Sequence, residues 1–262
     1  MKILILGCGW LAESFAIHMK RQGHEVWAST TTYEKYHRLK ADGIFSFILD
    51  FDCESFPEKA DLPDQFDFVL NSIPASQKNS LTVIENRFSN IKLFFGHITW
   101  RKQVFLSSIG IYPDKDVVFD ESYADTAELS SKLFLAEKCM LGLAHTIVYR
   151  LGGLFGKNRV FAKYFSERIC TTGEQPANFV HIDDAVKLIE EASCHLLRHA
   201  IYNVVAPLHP KKMDVILASA KKYGYALPLA FEATDAVQKI VSGKLLQEEL
   251  EYQFILPDPL QF

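Results

Sequence analysis

The sequence predicts an α/β protein built on a doubly wound parallel sheet, with a smaller C-terminal lobe. The continuous apolar run Ile3–Leu6 indicates a strand buried on both faces, as strands of parallel sheets are. After a glycine-containing break, apolar residues recur at helical spacing between Leu11 and Met19. Strand-like and helix-like segments then alternate through the first half of the chain, which is typical of βαβ units.

The remaining elements follow from the same two periodicities. Further strands are predicted at His24–Thr30, Ile44–Leu49, Phe66–Ile73, Gln103–Ile109, Thr146–Leu151 and Ile201–Val205. Helices are predicted at Asn79–Trp100, Ala127–Leu141 and Arg159–Cys170, from Asp183 or Asp184 to Leu197, and at Pro210–Lys222.

The break after the first strand carries the strongest functional signal. Gly7, Gly9 and Ala12 form a G-x-G-x-x-A turn between a strand and a helix, the context in which such a turn binds a dinucleotide. Gly7 permits the tight turn, Gly9 lets a pyrophosphate approach the backbone, and Ala12 keeps helix and strand close. The helix N-terminus supplies N–H groups and a positive dipole. The alternative is a glycine turn that only connects the two elements, and Cys8 within it is interpreted as a small spacer rather than a nucleophile.

The pattern of alternating elements loosens after Gly156, with no repeats and no low-complexity linker. We therefore predict a Rossmann-type dinucleotide-binding domain over residues 1–155 and a smaller substrate-binding lobe over residues 156–262. A chain of 262 residues has enough length for this arrangement.

Composition argues against several other classes of protein. The net charge is −4 and no Lys/Arg cluster exceeds a pair, so we expect neither nucleic acid nor an anionic membrane surface as partner. No window approaches the roughly 20 apolar residues of a membrane span, and the N-terminal apolar run is too short for a signal peptide. The five cysteines are scattered without a C-x-x-C pair. We therefore expect a cytoplasmic protein with reduced thiols and no metal site.

The end of the second predicted strand bears on which dinucleotide is bound. NAD-selective folds place a carboxylate there, about 20 residues after the glycines, to bind the ribose 2′-hydroxyl. This chain has Thr30 and Thr31 instead, with no acid before Glu34 and with Lys35 and Arg38 nearby. Hydroxyls and cations accommodate a 2′-phosphate better than a carboxylate does, which favours NADP over NAD. Alternatively, the threonines only lead into and cap the next helix.

Two further strand ends complete the predicted cofactor site. Asp50 ends the third strand, where it meets the adenine or serves only as a turn residue, and Ser72 ends the fourth. The predicted cofactor-binding residues are Gly7, Gly9, Trp10, Leu11, Thr30, Thr31, Asp50 and Ser72.

Four further motifs, in order along the chain, resemble the extended short-chain dehydrogenase/reductase family, the NAD-dependent epimerases and dehydratases. They are Phe105–Tyr112 (similar to S-S-x-x-V-Y-G), Tyr149–Gly156 (L-R-x-x-x-x-Y-G), Asn178–Asp184 (N-F-I-H-V-D-D) and Tyr202–Val204 (Y-N-V). The resemblance spans nearly the whole chain, and the G-x-G-x-x-A turn points to atypical members. It implies a nicotinamide cofactor and sugar-like or small carbonyl or hydroxyl substrates, with nucleotide sugars as the usual class.

The resemblance also implies where catalysis would occur. The family's serine corresponds to Ser108, which steers a substrate oxygen or, alternatively, caps a turn. Its Y-x-x-x-K motif corresponds to Glu128–Lys132, so the lysine, which binds the nicotinamide ribose, is present while Glu128 replaces the catalytic tyrosine. Glu128 is either a substitute general base tuned toward neutral pH or half of an i, i+4 ion pair with Lys132 near a helix start. Tyr123 lies outside the family spacing and is assigned to the loop before the helix; alternatively, it reaches the cleft if that loop folds inward.

The sequence leaves two functions open. The chain is either an NAD(P)-dependent epimerase/dehydratase-type oxidoreductase or, because the tyrosine is missing, a non-catalytic NADP(H)-binding sensor. His181 is interpreted as a packed histidine and Asp183 or Asp184 as a helix N-cap. A homodimer formed through helices 79–100 and 127–141 is a further expectation, taken from the resemblance.

Overall fold

The structure is a computed structural model that describes residues 1–53 and 62–261. In chain order the strands are β1 (Lys2–Leu6), β2 (Glu25–Thr30), β3 (Phe45–Ile48), β4 (Gln65–Asn71), β5 (Thr99–Ser108), β6 (Val118–Phe119), β7 (Thr146–Leu151), β8 (Gly153–Phe155), β9 (Ile169–Cys170), β10 (Phe179–His181), β11 (Ile201–Val204), β12 (Ala230–Phe231) and β13 (Ile240–Val241). The helices are α1 (Trp10–Arg21), α2 (Tyr33–Ala41), α3 (Leu81–Phe95), α4 (Ser131–Leu141), α5 (Ala162–Phe165), α6 (Ile182–Cys194), α7 (Lys212–Tyr223) and α8 (Lys244–Glu249).

Seven strands form a parallel sheet in the order β11-β7-β5-β4-β1-β2-β3. The chain runs outward from β1 to β3, returns to the other side of β1 with β4, and continues outward from there. This reversal is the topological switch point of a doubly wound sheet, so the predicted fold class is confirmed. In such sheets ligands bind beyond the carboxyl ends of the strands that flank the reversal. Here those strands are β1 and β4.

The chain forms two compact units that interleave along the sequence. The first comprises residues 1–111, 129–149 and 188–201, and the second comprises residues 112–128, 150–187 and 202–262. The sequence prediction divided the chain once, after residue 155. The division in the structure passes within β7, after Tyr149, and within β11, after Ile201. Local patterns do not reveal such interleaving, because it depends on contacts between distant segments.

The core of the first unit explains why its sequence begins with an apolar run. Ile3–Leu6 are fully buried between β2 and β4 in the sheet. Phe15 of α1 is also fully buried, and its ring lies 6.0 Å from that of Phe68 in β4. Helix α1 therefore covers one face of the strands that lead to the glycine turn.

A separate aromatic cluster forms part of the core of the second unit. Phe155, Ala177, Phe179 and Val215 pack together, and the ring of Phe161 stacks on that of Phe179 at 3.9 Å.

Every helix in the described part of the chain is too short or too polar to span a lipid bilayer.

Several predicted boundaries are wrong. The helix expected over Asn79–Trp100 is α3, which begins at Leu81 and ends at Phe95, and Trp100 lies in β5. Of the helix expected over residues 159–170, only Ala162–Phe165 (α5) is an α-helix. Helix α4 begins at Ser131 rather than Ala127, so Glu128 lies outside it.

The N-cap assignment at the start of α6 is also wrong. The helix begins at Ile182, which places both Asp183 and Asp184 inside its first turn. His181 precedes the helix, and its Nδ1 accepts a 3.3 Å hydrogen bond from the Asp183 amide. Asp184 instead accepts hydrogen bonds from residues near the C-terminus, which are Tyr252, Ile255 and Leu256.

Candidate functional site

The glycine turn has the geometry that only a glycine at its first position allows. Gly7 follows β1 with φ of +73°, and a Cβ there would lie 2.8 Å from Cγ1 of Ile73. Its amide donates to the Oγ of Ser29 at 2.8 Å. The Ser72 amide donates to the carbonyl of Leu6 at 2.9 Å, which continues the β1–β4 pairing past the strand ends. The turn is thus held against the neighbouring strand ends.

Gly9 serves a different purpose. Its φ of −74° is open to any residue, and the nearest atom to a Cβ built there is the carbonyl oxygen of Gly7, at 3.9 Å. No packing in the described residues therefore requires glycine at this position. Gly9 immediately precedes α1, whose first N–H groups have no partner within the helix. The bare backbone at Gly9 lines a cavity.

That cavity has a volume of about 450 Å³, within the range of small-molecule sites. Its lining comes from the end of β2, from the segments that follow β1, β2, β3 and β4, and from Arg87 of α3. The lining residues are Gly7, Cys8, Gly9, Ser29, Thr30, Thr31, Thr32, Lys35, Leu49, Asp50, Phe51, Asp52, Ser72, Ile73, Pro74 and Arg87. Six of the predicted cofactor residues are among them, and Trp10, Leu11 and Lys132 are not.

Cys8 lines the cavity as a buried thiol. Burial raises the pKa of its thiol to about 12, despite the nearby cation of Lys35. The thiol therefore stays protonated at neutral pH, and the interpretation of Cys8 as a spacer agrees with its surroundings.

The threonines at the end of β2 and directly after it do not cap the next helix through their side chains. Thr32 occupies the N-cap position of α2, yet its side chain makes no capping hydrogen bond. The hydroxyl of Thr30 accepts a long 3.4 Å bond from the Thr32 amide. Thr30, Thr31 and Thr32 all line the cavity.

A carboxylate that the sequence reasoning missed holds both cations near this strand end. Glu13, in the first turn of α1, accepts two 3.0 Å hydrogen bonds from Arg38 and pairs with Lys35 at 2.9 Å. The three side chains together carry one net positive charge. Glu13 therefore offsets part of the positive charge that the sequence indicated here.

Ser108 and Lys132 both lie in the first unit, close to the first turn of α4. The Oγ of Ser108 accepts a 3.1 Å bond from the Gly110 amide, as the turn-cap alternative predicted. A Cβ on Gly110 would lie 3.3 Å from that Oγ and 3.9 Å from Leu133, so Ser108 lies near α4. The Nζ of Lys132 donates to the carbonyl of Gln77 at 2.7 Å. Gln77, which the sequence reasoning missed, lies in the segment between β4 and α3.

Glu128, in the second unit, has neither of the environments predicted for it. Its carboxylate is exposed and accepts hydrogen bonds from Lys115 and Tyr123. The Lys115 bond, followed by the Tyr123 bond, lowers the pKa of Glu128, so the expected upward shift is wrong. The i, i+4 helix pair with Lys132 is wrong as well, because Glu128 precedes α4. The bond to Glu128 raises the pKa of Tyr123 to about 12.

His181 is buried against aromatic and backbone groups. Its ring lies 5.0 Å from that of Phe155, and a Cβ on Gly156 would lie 2.2 Å from its Nε2. Burial lowers the pKa of the imidazole. These contacts agree with its interpretation as a packed histidine.

Comparison with known proteins finds one related sequence and several structures with a similar fold. No family model matches the chain. Protein YeeZ of Escherichia coli K12 is 27% identical to it, over 99% of this chain and 97% of that protein. A putative NAD-dependent epimerase/dehydratase from Methylobacillus flagellatus superposes with a TM-score of 0.68 at 22% identity, covering 98% of this chain and 94% of that one. Human epimerase family protein SDR39U1, solved with NADPH, superposes with a TM-score of 0.72 at 16% identity, covering 99% of this chain and 96% of that one. The chain therefore has the Rossmann-like fold of epimerase/dehydratase structures.

Proposed function

We propose that this protein binds NADP or NAD in the cavity of its first unit and acts as an epimerase/dehydratase-type oxidoreductase. The observation that carries the proposal is Gly9, whose missing side chain leaves bare backbone at the cavity wall although the described packing does not require glycine there. A dinucleotide pyrophosphate approaching a helix N-terminus needs that space. The solved neighbours, one described as NAD-dependent and one containing NADPH, support the same cofactor class.

Different residues of the chain would hold different parts of the cofactor. Gly7, Gly9 and the first turn of α1 would hold the pyrophosphate, and Thr30 and Thr31 the adenosine ribose. Asp50 and Ser72 line the same cavity. By family resemblance, Lys132 would bind the nicotinamide ribose and Ser108 would steer a substrate oxygen. The nicotinamide supplies hydride acceptance and donation when bound.

Charge near the second strand end favours NADP over NAD. The cavity is lined by Lys35 and three threonines where NAD-selective folds place a carboxylate. Glu13 reduces this preference, since it pairs with both Lys35 and Arg38. We therefore infer a moderate preference rather than exclusion of NAD.

A thermal-shift titration with NAD, NADH, NADP and NADPH tests the proposal. A ligand at 100 times its Kd stabilises a protein by about 2.7 kcal/mol, which raises Tm by roughly 5–10 °C for a chain of this size. The phosphorylated pair is expected to give the larger shift. If none of the four compounds raises Tm, the proposed function is wrong.

Lys132→Met tests the assignment of the nicotinamide half. Loss of a charged donor is expected to weaken NADP binding about tenfold. Binding of adenosine 2′,5′-bisphosphate, which lacks the nicotinamide ribose, should not change. Lys138→Met, in the last turn of the same helix, is the matched control. Equal weakening of both ligands by Lys132→Met would contradict the assignment.

One observation favours a second function, that of a non-catalytic NADP(H) sensor. The residue at the tyrosine position, Glu128, is exposed and has a lowered pKa, and such a carboxylate is a weak general base. The two functions separate when the protein and its preferred cofactor are incubated with nucleotide sugars and small hydroxy-carbonyl compounds. Cofactor redox change or substrate isomerisation, followed by absorbance and NMR, supports the enzyme, whereas binding without turnover supports the sensor.

A further inference from the structure

Arg87 is a buried cation in the wall of the candidate cofactor cavity. It lies in α3 on the helix face that also carries Ile84, Phe88 and Ile91, all three fully buried. Arg87 itself is only 7% exposed. A charged side chain at a core position is costly unless hydrogen bonds and an opposite charge compensate it.

The guanidinium is compensated by groups from two different loops. Nε and Nη2 donate to the two carboxylate oxygens of Asp52, at 2.7 and 2.6 Å, and Nη1 donates to the carbonyl of Pro74 at 2.6 Å. Asp52 follows β3 and Pro74 follows β4, so one side chain joins the two loops. One turn along α3, the side-chain Nδ2 of Asn90 donates to the carbonyl of Phe51 at 2.9 Å, which is a second hydrogen bond to the loop after β3.

The hydrogen bonds that join Arg87 to Asp52 continue to Asp50, the carboxylate that was predicted to meet the adenine. We call this chain of bonds, from Arg87 through Asp52 to Asp50, the brace. The Asp52 amide donates to Oδ1 of Asp50 at 2.9 Å, which orients Asp50. Among residues 1–53 and 62–261 no donor to its Oδ2 is found, so that oxygen can accept from a ligand. Asp50, Asp52, Pro74 and Arg87 all line the same cavity. The Asp50 carboxylate is thus linked to Arg87 through Asp52, whose side chain binds the guanidinium and whose amide binds Asp50.

We propose that Arg87 is a positioning residue which, through Asp52, sets Asp50 to accept a hydrogen bond from the exocyclic amino group of adenine. Arg87 would thereby make the site selective for adenine over bases that carry a carbonyl at that position. The inference rests on the proposed function, since it assigns a selectivity to the same cavity. Replacement by lysine would not preserve it, because an ammonium cannot make the bidentate contact and also reach Pro74.

The test compares binding of adenosine 5′-diphosphate with binding of inosine 5′-diphosphate, measured by calorimetry. The wild type is expected to prefer the adenine nucleotide by about tenfold, the worth of one hydrogen bond to a charged group. Arg87→Met should reduce the preference to near unity, as should Asp50→Asn. Arg87→Lys should reduce the preference in part. Because this variant keeps a cation beside Asp52, it provides the test if Arg87→Met does not fold.

A control separates positioning from loss of stability. Ile84→Val removes a buried methylene from the same helix face and costs about 0.5–1.5 kcal/mol, yet it should leave the base preference unchanged. If the wild type binds neither nucleotide, this inference and the proposed function both fail. If it binds both but folded Arg87→Lys and Asp50→Asn retain the full preference, only the role of Arg87 is refuted.

Discussion

Replacing Gly9 by alanine is expected to weaken dinucleotide binding by at least about tenfold, or about 1.4 kcal/mol, with little change in stability. The added methyl group meets no atom of the described residues closer than 3.9 Å, and the φ of −74° suits alanine. The methyl would, however, occupy the space that a pyrophosphate needs at the start of α1. Calorimetric titration with NADP, together with the Tm of the free protein, measures both effects.

Gly7→Ala provides the contrasting case in the same turn. Its φ of +73° and the 2.8 Å approach to Ile73 make alanine strained and sterically blocked. This variant should lose stability before any effect on binding is measured. If Gly9→Ala instead binds NADP as the wild type does, the pyrophosphate does not lie where we place it.

Replacing Asp184 by alanine is expected to destabilise the protein by about 3 kcal/mol or more, since three part-buried donors lose their charged acceptor. The carboxylate is fully buried and accepts from the Tyr252 hydroxyl at 2.9 Å and from the amides of Ile255 and Leu256 at 2.7 and 3.1 Å. Asp184 thus anchors the segment that follows α8. Urea unfolding measures the loss, and limited proteolysis should show earlier cleavage near residue 255.

The neighbouring Asp183→Ala is the matched control. That carboxylate is 57% exposed in the same helix turn, and a surface charge at a helix N-terminus contributes about 0.3–1 kcal/mol. Equal destabilisation by the two variants would show that Asp184 acts through the helix dipole and not as an anchor of the C-terminal segment.

The outcome at α6 shows where sequence reasoning reaches its limit. The motif that contains Asp183 and Asp184 indicated a helix start correctly, but the local pattern could not show which carboxylate turns inward. That choice depends on Tyr252 and its neighbours, about 70 residues later in the chain. Glu128 is a similar case. It precedes α4, which begins only at Ser131, and the partners of Glu128 are Lys115 and Tyr123, which also precede that helix.

Arg87 could have been noticed from the sequence. The apolar positions 84, 88 and 91 define one face of a predicted helix, and an arginine at position 87 interrupts that face. A cation on a buried face requires a partner. The sequence offers no means to identify that partner, because Asp52 and Pro74 reach it only through the packing of α3 on the sheet.

The sequence by itself determined the strand, glycine turn and helix at residues 2–21, the run Thr146–Leu151 as a strand, and the doubly wound order of elements. These features depend on periodicity and on the conformational freedom of glycine, both of which are local. Only the tertiary structure decided the interleaving of the two units, the pairing of Glu13 with Lys35 and Arg38, and the brace from Arg87 to Asp50. Those contacts join residues far apart in the chain, and their geometry is set by how helices pack on the sheet.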